Sequence, residues 1–373
     1  MKKSAKILFA LILILPLAFI GCGSNLSGKA HSSLAYFSTE SRTVIYDDFS
    51  ESANVDKFSA CWEEIEKTIA EIERSVSVSV ENSYISAFNE ADAGEKVEVD
   101  KITFDILCIS LQYYQETNGA FNPATGLLVD LWGFSPRFFA SDYTPVKKYD
   151  RAVPSKELPE TKYIEAFKTL TDFGKVTLSE ENSRYYAQKP ADFVEVDEKK
   201  YSMQLNLGAI GKGFACDAAY EIIEKYGYQY GFADIGSSSM KMLNDPKNPK
   251  WTISLVNPKN PSGQYAEVYM EKSAISTSGT YQRYYEIDGR TYSHIIDASS
   301  GYPAADILSS TVICESAAAG DALSTAVCVM GSSASSFISG RNEKYIFVSG
   351  SAVTTNMPQS DYKIKDNSFY AVR

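Results

Sequence analysis

Three side chains in the last third of the 373-residue chain could together hold a metal ion and move a proton: His294, Asp321 and Thr325. The pattern of residues 317–330 predicts a helix, and a four-residue spacing places Asp321 and Thr325 on one face of it. A carboxylate beside a hydroxyl supplies hard oxygen ligands, which suit Mg²⁺ better than zinc. Each residue also has a structural explanation, since a histidine in a strand is usually packed and an Asp near a helix start is usually a capping residue.

Two further segments have the form of ligand sites. In residues 204–215 (QLNLGAIGKGFA) a strand ends, glycines clear space and a helix begins, which is how many phosphate sites are built. Trp132, Gly133 and Phe134 form an aromatic–glycine–aromatic loop that could offer a flat face to a planar ring. A glycine-rich turn often binds nothing, and such a loop is equally well explained as a hydrophobic plug.

Four segments, taken in order, resemble the ApbE family of FAD:protein FMN transferases. They are residues 276–279 (STSG), 292–297 (YSHIID), 301–303 (GYP) and 320–326 (GDALSTA). Residues 204–215 and the loop from Gly119 to Phe134 are similar to two more segments of that family. The resemblance spans about residue 36 to the C-terminus, and it implies an α+β fold, ApbE-like, with a largely antiparallel sheet flanked by helices.

The resemblance also assigns roles to individual residues. It implies that Mg²⁺ is bound by the backbone carbonyl of Ala209 and by Asp321 and Thr325, and that His294 is the general base, with Asp297 orienting the base or the acceptor loop. The residues expected to contact FAD are Trp132, Gly133, Phe134, Asn206, Lys212, Ser278 and Ile296. Lys212 would offset pyrophosphate charge.

The reaction that the resemblance implies is transfer of FMN from FAD to a threonine hydroxyl of a partner flavoprotein, with release of AMP. The acceptor would be an extracytoplasmic redox subunit or an electron-transfer protein. Two alternatives remain open: a metal-dependent FAD pyrophosphatase, and a non-catalytic flavin- or solute-binding lipoprotein. The departures from the family pattern at Asn122, Asn206 and Ser237 favour the last of these.

The N-terminus has the pattern of a bacterial export signal. Lys2, Lys3 and Lys6 precede an apolar run over residues 7–20, which is too short to span a membrane but typical of a signal peptide. Residues 19–22 (FIGC) resemble a lipobox, so we expect cleavage before a lipidated Cys22 and an extracytoplasmic, membrane-anchored protein; simple secretion is the alternative. The expected organisation is a signal peptide at 1–21, a lipidated cysteine and flexible tether at 22–35, and one catalytic domain at 36–373.

The amino-acid composition argues against one class of binding partner. The net charge of −11 becomes −14 without the three leader lysines, and so acidic a chain argues against nucleic acid as a partner. The five cysteines that remain after Cys22 show neither zinc-site spacing nor the even number of a disulfide framework, so we expect free, buried thiols. Amphipathic patterns predict helices over residues 57–74, 101–118 and 162–172. Strands are predicted over residues 38–47, as the first of the domain, and over residues 292–296.

Overall fold

The computed structural model describes residues 26–135 and 158–372, without the side chains of residues 34 and 35. Its helices in chain order are α1 (Ser52–Val76), α2 (Tyr84–Glu90), α3 (Lys101–Glu116), α4 (Gly126–Leu131), α5 (Thr161–Lys168), α6 (Gly211–Lys225), α7 (Ala317–Met330) and α8 (Ala334–Ile338). The longest, α1, forms because Phe58, Trp62, Ile65, Ile69 and Ile72 recur at helical spacing and bury one stripe of its surface.

A nine-stranded sheet forms the centre of the described molecule. It contains β1 (Ser27–Tyr36), β2 (Thr39–Asp47), β8 (Tyr230–Ile235), β9 (Ser239–Met242), β12 (Ala274–Gly279), β17 (Ser309–Cys314), β18 (Lys344–Ser349), β19 (Ala352–Thr355) and β21 (Tyr370–Val372). They lie side by side in that order. Every neighbouring pair is antiparallel except β19 and β21, which are parallel.

The other strands form smaller sheets around this one. They are β3 (Lys96–Val99), β4 (Thr177–Glu181) and β5 (Arg184–Gln188) in one sheet, β6 (Phe193–Val196) with β7 (Lys199–Ser202), β10 (Trp251–Val256) with β11 (Gln264–Met270) and β20 (Tyr362–Ile364), β13 (Tyr284–Ile287) with β14 (Arg290–Ser293), and β15 (Ile296–Asp297) with β16 (Tyr302–Pro303). The β13–β14 hairpin leads directly to His294.

Helices cover one face of the main sheet and the β10–β11–β20 sheet packs against the other. The sides of β17 show this: Val312 packs with Leu323 and Val327 of α7, whereas Ile313 packs with Leu255 and Val268 of the small sheet. Side chains that alternate along a strand point to opposite faces, so both faces of β17 are buried. The predicted α+β class, with a largely antiparallel sheet and flanking helices, is confirmed.

Three boundaries differ from the sequence predictions. The flexible tether predicted to run to residue 35 is wrong from Ser27 onwards, because β1 pairs with β2 from Ser27↔Asp47 to Tyr36↔Thr39. Backbone hydrogen bonds form this pairing, so the small, polar side chains of the segment gave no local signal of it. The strand expected over residues 292–296 is interrupted at His294, and the helix expected over residues 162–172 ends at Lys168.

The predicted signal peptide and Cys22 lie outside the described residues. Within the described ranges, no helix is both long and apolar enough to cross a membrane. The cysteines are free as expected, although Cys108 is exposed and Cys314 is only partly buried.

Candidate active site

The carboxylate of Asp321 lies at the junction of two helices and the sheet. It projects from the second turn of α7, is 6 % exposed, and accepts hydrogen bonds from the backbone N–H of Gly213 (2.7 Å) and from Ser239 Oγ (2.5 Å). The Ser276 hydroxyl lies next to it and donates to the Ala317 carbonyl (3.1 Å). Burial raises the pKa of Asp321 above its usual range, although the nearby Lys212 ammonium and the donated hydrogen bonds act in the opposite direction.

Thr325 follows Asp321 by one helical turn, as its spacing predicted. Its hydroxyl lies 3.0 Å from Ser278 Oγ, and Ser278 Oγ lies 2.8 Å from Ser324 Oγ. Ser324 in turn donates to the carbonyl of Asp321 at 3.1 Å. Ser278, which we expected to contact FAD, therefore orients the Thr325 hydroxyl in this structure.

The glycine-rich turn places Ala209 and Lys212 at the start of α6. The Oδ1 atom of Asn206 accepts from Gly208 N (2.9 Å) and so closes the turn, while the carbonyl of Ala209 precedes the helix. Lys212 acts electrostatically on both Asp321 and His294, so the three predicted functional residues share one site. In the described part of the chain, no carboxylate forms an ion pair with the Lys212 ammonium, which leaves it available for an anion.

His294 is partly buried at the base of the β13–β14 hairpin. Its backbone N–H donates to the Arg283 carbonyl (3.0 Å), and its Nδ1 lies 3.3 Å from the same oxygen. A carbonyl oxygen only accepts, so this contact requires the proton on Nδ1 and leaves the lone pair on Nε2. Burial, together with the Arg283 and Lys212 cations, lowers the pKa of His294 to about 4.

Asp297 and Ile296 follow His294 in the chain, but their contacts lie elsewhere. The Asp297 carboxylate accepts from the backbone N (2.9 Å) and Oγ (2.7 Å) of Ser299, and its carbonyl accepts from Gly301 N. The described hydrogen bonds of Asp297 thus shape the Ser/Gly turn and do not include His294. Ile296 is buried in the cluster that contains Trp132.

Trp132 and Phe134 are packed inside the protein. Trp132 is 1 % exposed, donates from Nε1 to the Gly301 carbonyl (2.8 Å) and stacks on Tyr292 with ring centroids 5.4 Å apart. Phe134 stacks on Tyr285 at 5.1 Å. Gly133, at φ 78°, makes the turn between the two rings. This arrangement matches the packing explanation of the loop, and its contact with a flavin stays a prediction.

Several residues of the site gave no recognisable signal in the sequence. Ser239 and Ser276 support Asp321 from β9 and β12, far from it in the chain, and no local spacing links them. Asp217 was also missed, although it lies four residues after Gly213 on α6 and therefore on the same face. Only the three-dimensional packing of α6, α7 and the sheet reveals these contacts.

The departure at Asn122 is accommodated locally. Its Oδ1 accepts from Ala124 N and its Nδ2 donates to the Thr171 carbonyl, both at 2.8 Å. At the departure Ser237, the backbone N–H donates to Asp234 Oδ1 (2.8 Å), and Asp234 lies 3.3 Å from an Arg42 guanidinium nitrogen. Both replacements have satisfied partners, so they do not disrupt the fold.

Comparison with known proteins shows the family of this chain. The ApbE family model matches residues 37–347. FAD:protein FMN transferases of Escherichia coli K12 and Treponema pallidum are each 28 % identical to this chain, over 271 and 282 residues. These alignments cover 72 % and 73 % of this chain and 70 % and 72 % of the two relatives.

Solved structures show the same fold. The ApbE protein of Thermotoga maritima superimposes with a TM-score of 0.69 at 26 % identity, over 86 % of this chain and 94 % of that one. The flavin transferase ApbE of Vibrio cholerae also gives 0.69, at 21 % identity, over 92 % and 98 %, which supports the fold alone. Because the family model covers most of its length, this chain belongs to the ApbE family.

Proposed function

We propose that this protein transfers FMN from FAD to a threonine hydroxyl of a partner protein and releases AMP. Family membership and the FMN transferases among its relatives make it an enzyme, a flavin transferase. The observation that carries the finer proposal is the position of Lys212, whose charge acts on both the buried Asp321 carboxylate and the His294 imidazole. A proton acceptor, a phosphate-binding cation and a metal-binding carboxylate are thus brought together.

The transfer is a substitution at phosphorus. The threonine oxygen forms a bond to the phosphorus of the FMN half of FAD, and the bond from that phosphorus to the bridging oxygen breaks. AMP leaves with the bridging oxygen, and the hydroxyl proton goes to Nε2 of His294. Because His294 is neutral at neutral pH, it is ready to take that proton.

The oxygen donors at the site fit a magnesium ion. The Asp321 carboxylate, the Thr325 hydroxyl and the Ala209 carbonyl are hard ligands, and a buried carboxylate with a raised pKa is stabilised by a cation. Among the described residues no cluster of three or more His, Cys, Asp or Glu side chains could hold a metal, so a site here depends on a hydroxyl and a carbonyl. Bound Mg²⁺ would neutralise pyrophosphate charge as AMP departs.

The remaining binding functions fall to residues around α6. Lys212 and the N-terminal end of α6 attract the pyrophosphate, and Asn206 keeps the turn closed. Its amide nitrogen makes no hydrogen bond to residues 26–135 or 158–372 and can donate to the ligand. Phe134 lies 6.4 Å from the His294 ring, so the aromatic loop borders the base. Contact of FAD with Trp132, Gly133, Phe134, Ser278 and Ile296 remains part of this proposal.

We place the enzyme outside the cytoplasm, held on the membrane by a lipid on Cys22. The signal-like residues 1–21 and the FIGC segment support this location. The acceptor is then an extracytoplasmic flavoprotein with an accessible threonine.

The test is incubation of the full-length chain in detergent with FAD, Mg²⁺ and a family acceptor domain, followed by mass spectrometry of the acceptor and chromatography of the nucleotides. A gain of one FMN with release of AMP, lost in Asp321→Ala and in a threonine-to-alanine acceptor, is the expected result. AMP and free FMN with an unmodified acceptor would instead identify an FAD pyrophosphatase. Intact bound FAD would identify a flavin-binding protein.

A further inference from the structure

The carboxylate of Asp217 joins the same three elements that surround Asp321. Its Oδ1 accepts from the backbone N–H of Ala317 (3.0 Å) and from Lys241 Nζ (2.7 Å). Its Oδ2 accepts from the N–H of Ala318 (3.0 Å) and from Ser316 Oγ (2.7 Å). One side chain of α6 thus binds two first-turn N–H groups of α7, its N-cap residue and a lysine of β9.

These contacts parallel those of Asp321. They use residues that lie one helical turn away on α6 and α7 and two residues away on β9. Gly213 and Asp217 are four residues apart on α6, and Ala317 and Asp321 are four apart on α7, so each pair lies on one helical face. On β9, the corresponding residues are Ser239 and Lys241, which are two apart on one face. Two carboxylates therefore join α6, α7 and β9: Asp217 from α6 and Asp321 from α7.

Helices α6 and α7 pack so closely that neither can shift without a clash. A Cβ atom on Gly213 would lie 2.2 Å from the Ala317 carbonyl oxygen, so α6 and α7 touch backbone to backbone beside Asp217. A small rotation or slide of α7 would separate Gly213 N from Asp321 and shift Thr325 with it. The side chains of Asp217 and Lys241 are only 16 % and 17 % exposed, so solvent screens their interaction weakly.

From this geometry we propose that Asp217 is a positioning residue for the metal-binding face of α7. It satisfies the first-turn N–H groups of α7 with a negative charge, which fixes where the helix begins and how it is rotated. Asp321 is then held on the backbone N–H of Gly213, four residues after Ala209, with Thr325 one turn further along α7. This inference rests on the proposed function, since it assumes that Asp321 and Thr325 bind a metal.

The test measures metal affinity separately from stability. Mn²⁺ binding to the FAD-free enzyme is followed by electron paramagnetic resonance, and Tm by calorimetry. Asp217→Asn presents an amide donor to groups that are themselves donors, so we expect the Kd for Mn²⁺ to rise about tenfold, at the lower end of the effect of losing a residue that orients a ligand. Saturating Mg²⁺ should restore most of the transfer rate of this variant but not that of Asp321→Ala.

Asp361→Asn is the matched control, because Asp361 also pairs with lysines, Lys250 (2.8 Å) and Lys344 (2.7 Å), but stands apart from the site. It should lower Tm and leave the Kd for Mn²⁺ unchanged. If Asp217→Asn also leaves the Kd unchanged, or if both variants weaken Mn²⁺ binding equally, Asp217 acts only in stability and the inference is wrong. Should Asp217→Asn fail to fold, Ser316→Ala removes one of the four contacts and should raise the Kd about two- to threefold.

Asp321→Ala separates this inference from the proposed function. If wild type and Asp321→Ala bind Mn²⁺ equally, the metal assignment itself fails and the role of Asp217 fails with it. If Asp321→Ala loses Mn²⁺ binding while Asp217→Asn keeps it, the metal site stands and only the positioning role is refuted.

Discussion

The backbone N–H of Gly213 donates to Oδ2 of Asp321 at 2.7 Å, across a sequence separation of 108 residues. This contact joins the first turn of α6, which follows the glycine-rich segment, to the second turn of α7. It is possible because Gly213 has no side chain where the two helix backbones meet. The glycine-rich turn and the carboxylate that we propose as a metal ligand are therefore parts of one hydrogen-bonded unit.

Gly213→Ala should disrupt this unit. The added Cβ would lie 2.2 Å from the Ala317 carbonyl oxygen, and backbone on both sides must move to make room. We expect a loss of about 1–3 kcal/mol in the free energy of unfolding, as for other overpacked sites, together with a marked loss of Mn²⁺ binding. Urea denaturation and metal titration measure the two effects.

Gly263→Ala is the control for that substitution. Its Cβ would lie 3.6 Å from the Asn260 carbonyl oxygen, an ordinary contact, so stability and Mn²⁺ binding should stay at wild-type values. Wild-type behaviour of Gly213→Ala would show that α7 moves freely, against the close packing of the two helices.

Asp321→Asn should stabilise the metal-free protein while abolishing activity. Burial raises the pKa of Asp321, so above that pKa the folded state carries a charge that it holds less well than the unfolded chain does. Stability due to this group is present at low pH and is lost as pH rises through the folded pKa. An amide removes the charge and still accepts from Gly213, so Tm at pH 7–8 in EDTA should rise, and FMN transfer should fall by at least about 100-fold.

The pH dependence is the control for the Asp321→Asn result. The difference in Tm between variant and wild type should shrink as pH falls through the folded-state pKa of Asp321, because the wild-type carboxyl is then protonated too. A variant that is less stable than wild type at pH 7–8 would mean that the carboxylate is already well compensated without a metal.

How far the sequence predicted this site depended on distance along the chain. Helix α7 was predicted with the bounds that the structure shows, and Asp321 and Thr325 lie on one face of it, because helical spacing is local information. The glycine-rich turn was placed correctly for the same reason. Ser239, Ser276 and Asp217 were missed because their contacts depend on how α6, α7 and the sheet pack.

The aromatic loop also shows that local sequence does not determine tertiary packing. Its composition fitted a flavin-binding face and a hydrophobic plug equally well, and only tertiary packing shows Trp132 buried with its indole N–H bonded to Gly301. Strand β1 was missed because its partner β2, not its own composition, determines that it is extended.

His294 should titrate far below an ordinary histidine in the ligand-free enzyme. The chain has only two histidines, so NMR of the ring signals, assigned with a His31→Gln variant, can follow His294 directly. We expect a pKa of about 4, because burial and the Arg283 and Lys212 cations disfavour the imidazolium. The stability that depends on the neutral ring should be present above pH 6.5 and be lost as pH falls through about 4.

Activity provides the second measurement for His294. His294→Ala should lower the transfer rate by about 10²–10⁴-fold, as expected for loss of a general base, while His31→Gln should leave it unchanged. The acid limb of kcat/KM should lie below pH 6. A His294 pKa of 6.5 or higher, or a wild-type rate in His294→Ala, would contradict the base assignment.

Lys189 is buried against the end of α2, and its replacement should reveal its unusual ionisation. Its ammonium, on a residue 1 % exposed, donates to the carbonyls of Phe88 (3.2 Å), Asn89 (3.0 Å) and Ala91 (2.8 Å) at the end of α2. Burial lowers its pKa to about 8, against weaker opposing effects of Asp92 and Glu95. Lys189→Met leaves three carbonyls without this donor and should lower the free energy of unfolding by about 2 kcal/mol at pH 7.

The sign of the pH effect identifies the lysine as the cause. Between pH 8 and 10.5 the unfolded chain holds the Lys189 proton and the folded protein does not, so the stability of the wild type relative to Lys189→Met should rise over that range. Lys199→Met, at an exposed position, is the control and should show no such trend in urea denaturation. A constant difference between wild type and Lys189→Met from pH 7.5 to 10 would show that the buried ammonium keeps an ordinary pKa. Because the Asn89 amide bonds both N (2.7 Å) and O (2.9 Å) of Leu205, beside Asn206, the variant should also raise the KM for FAD.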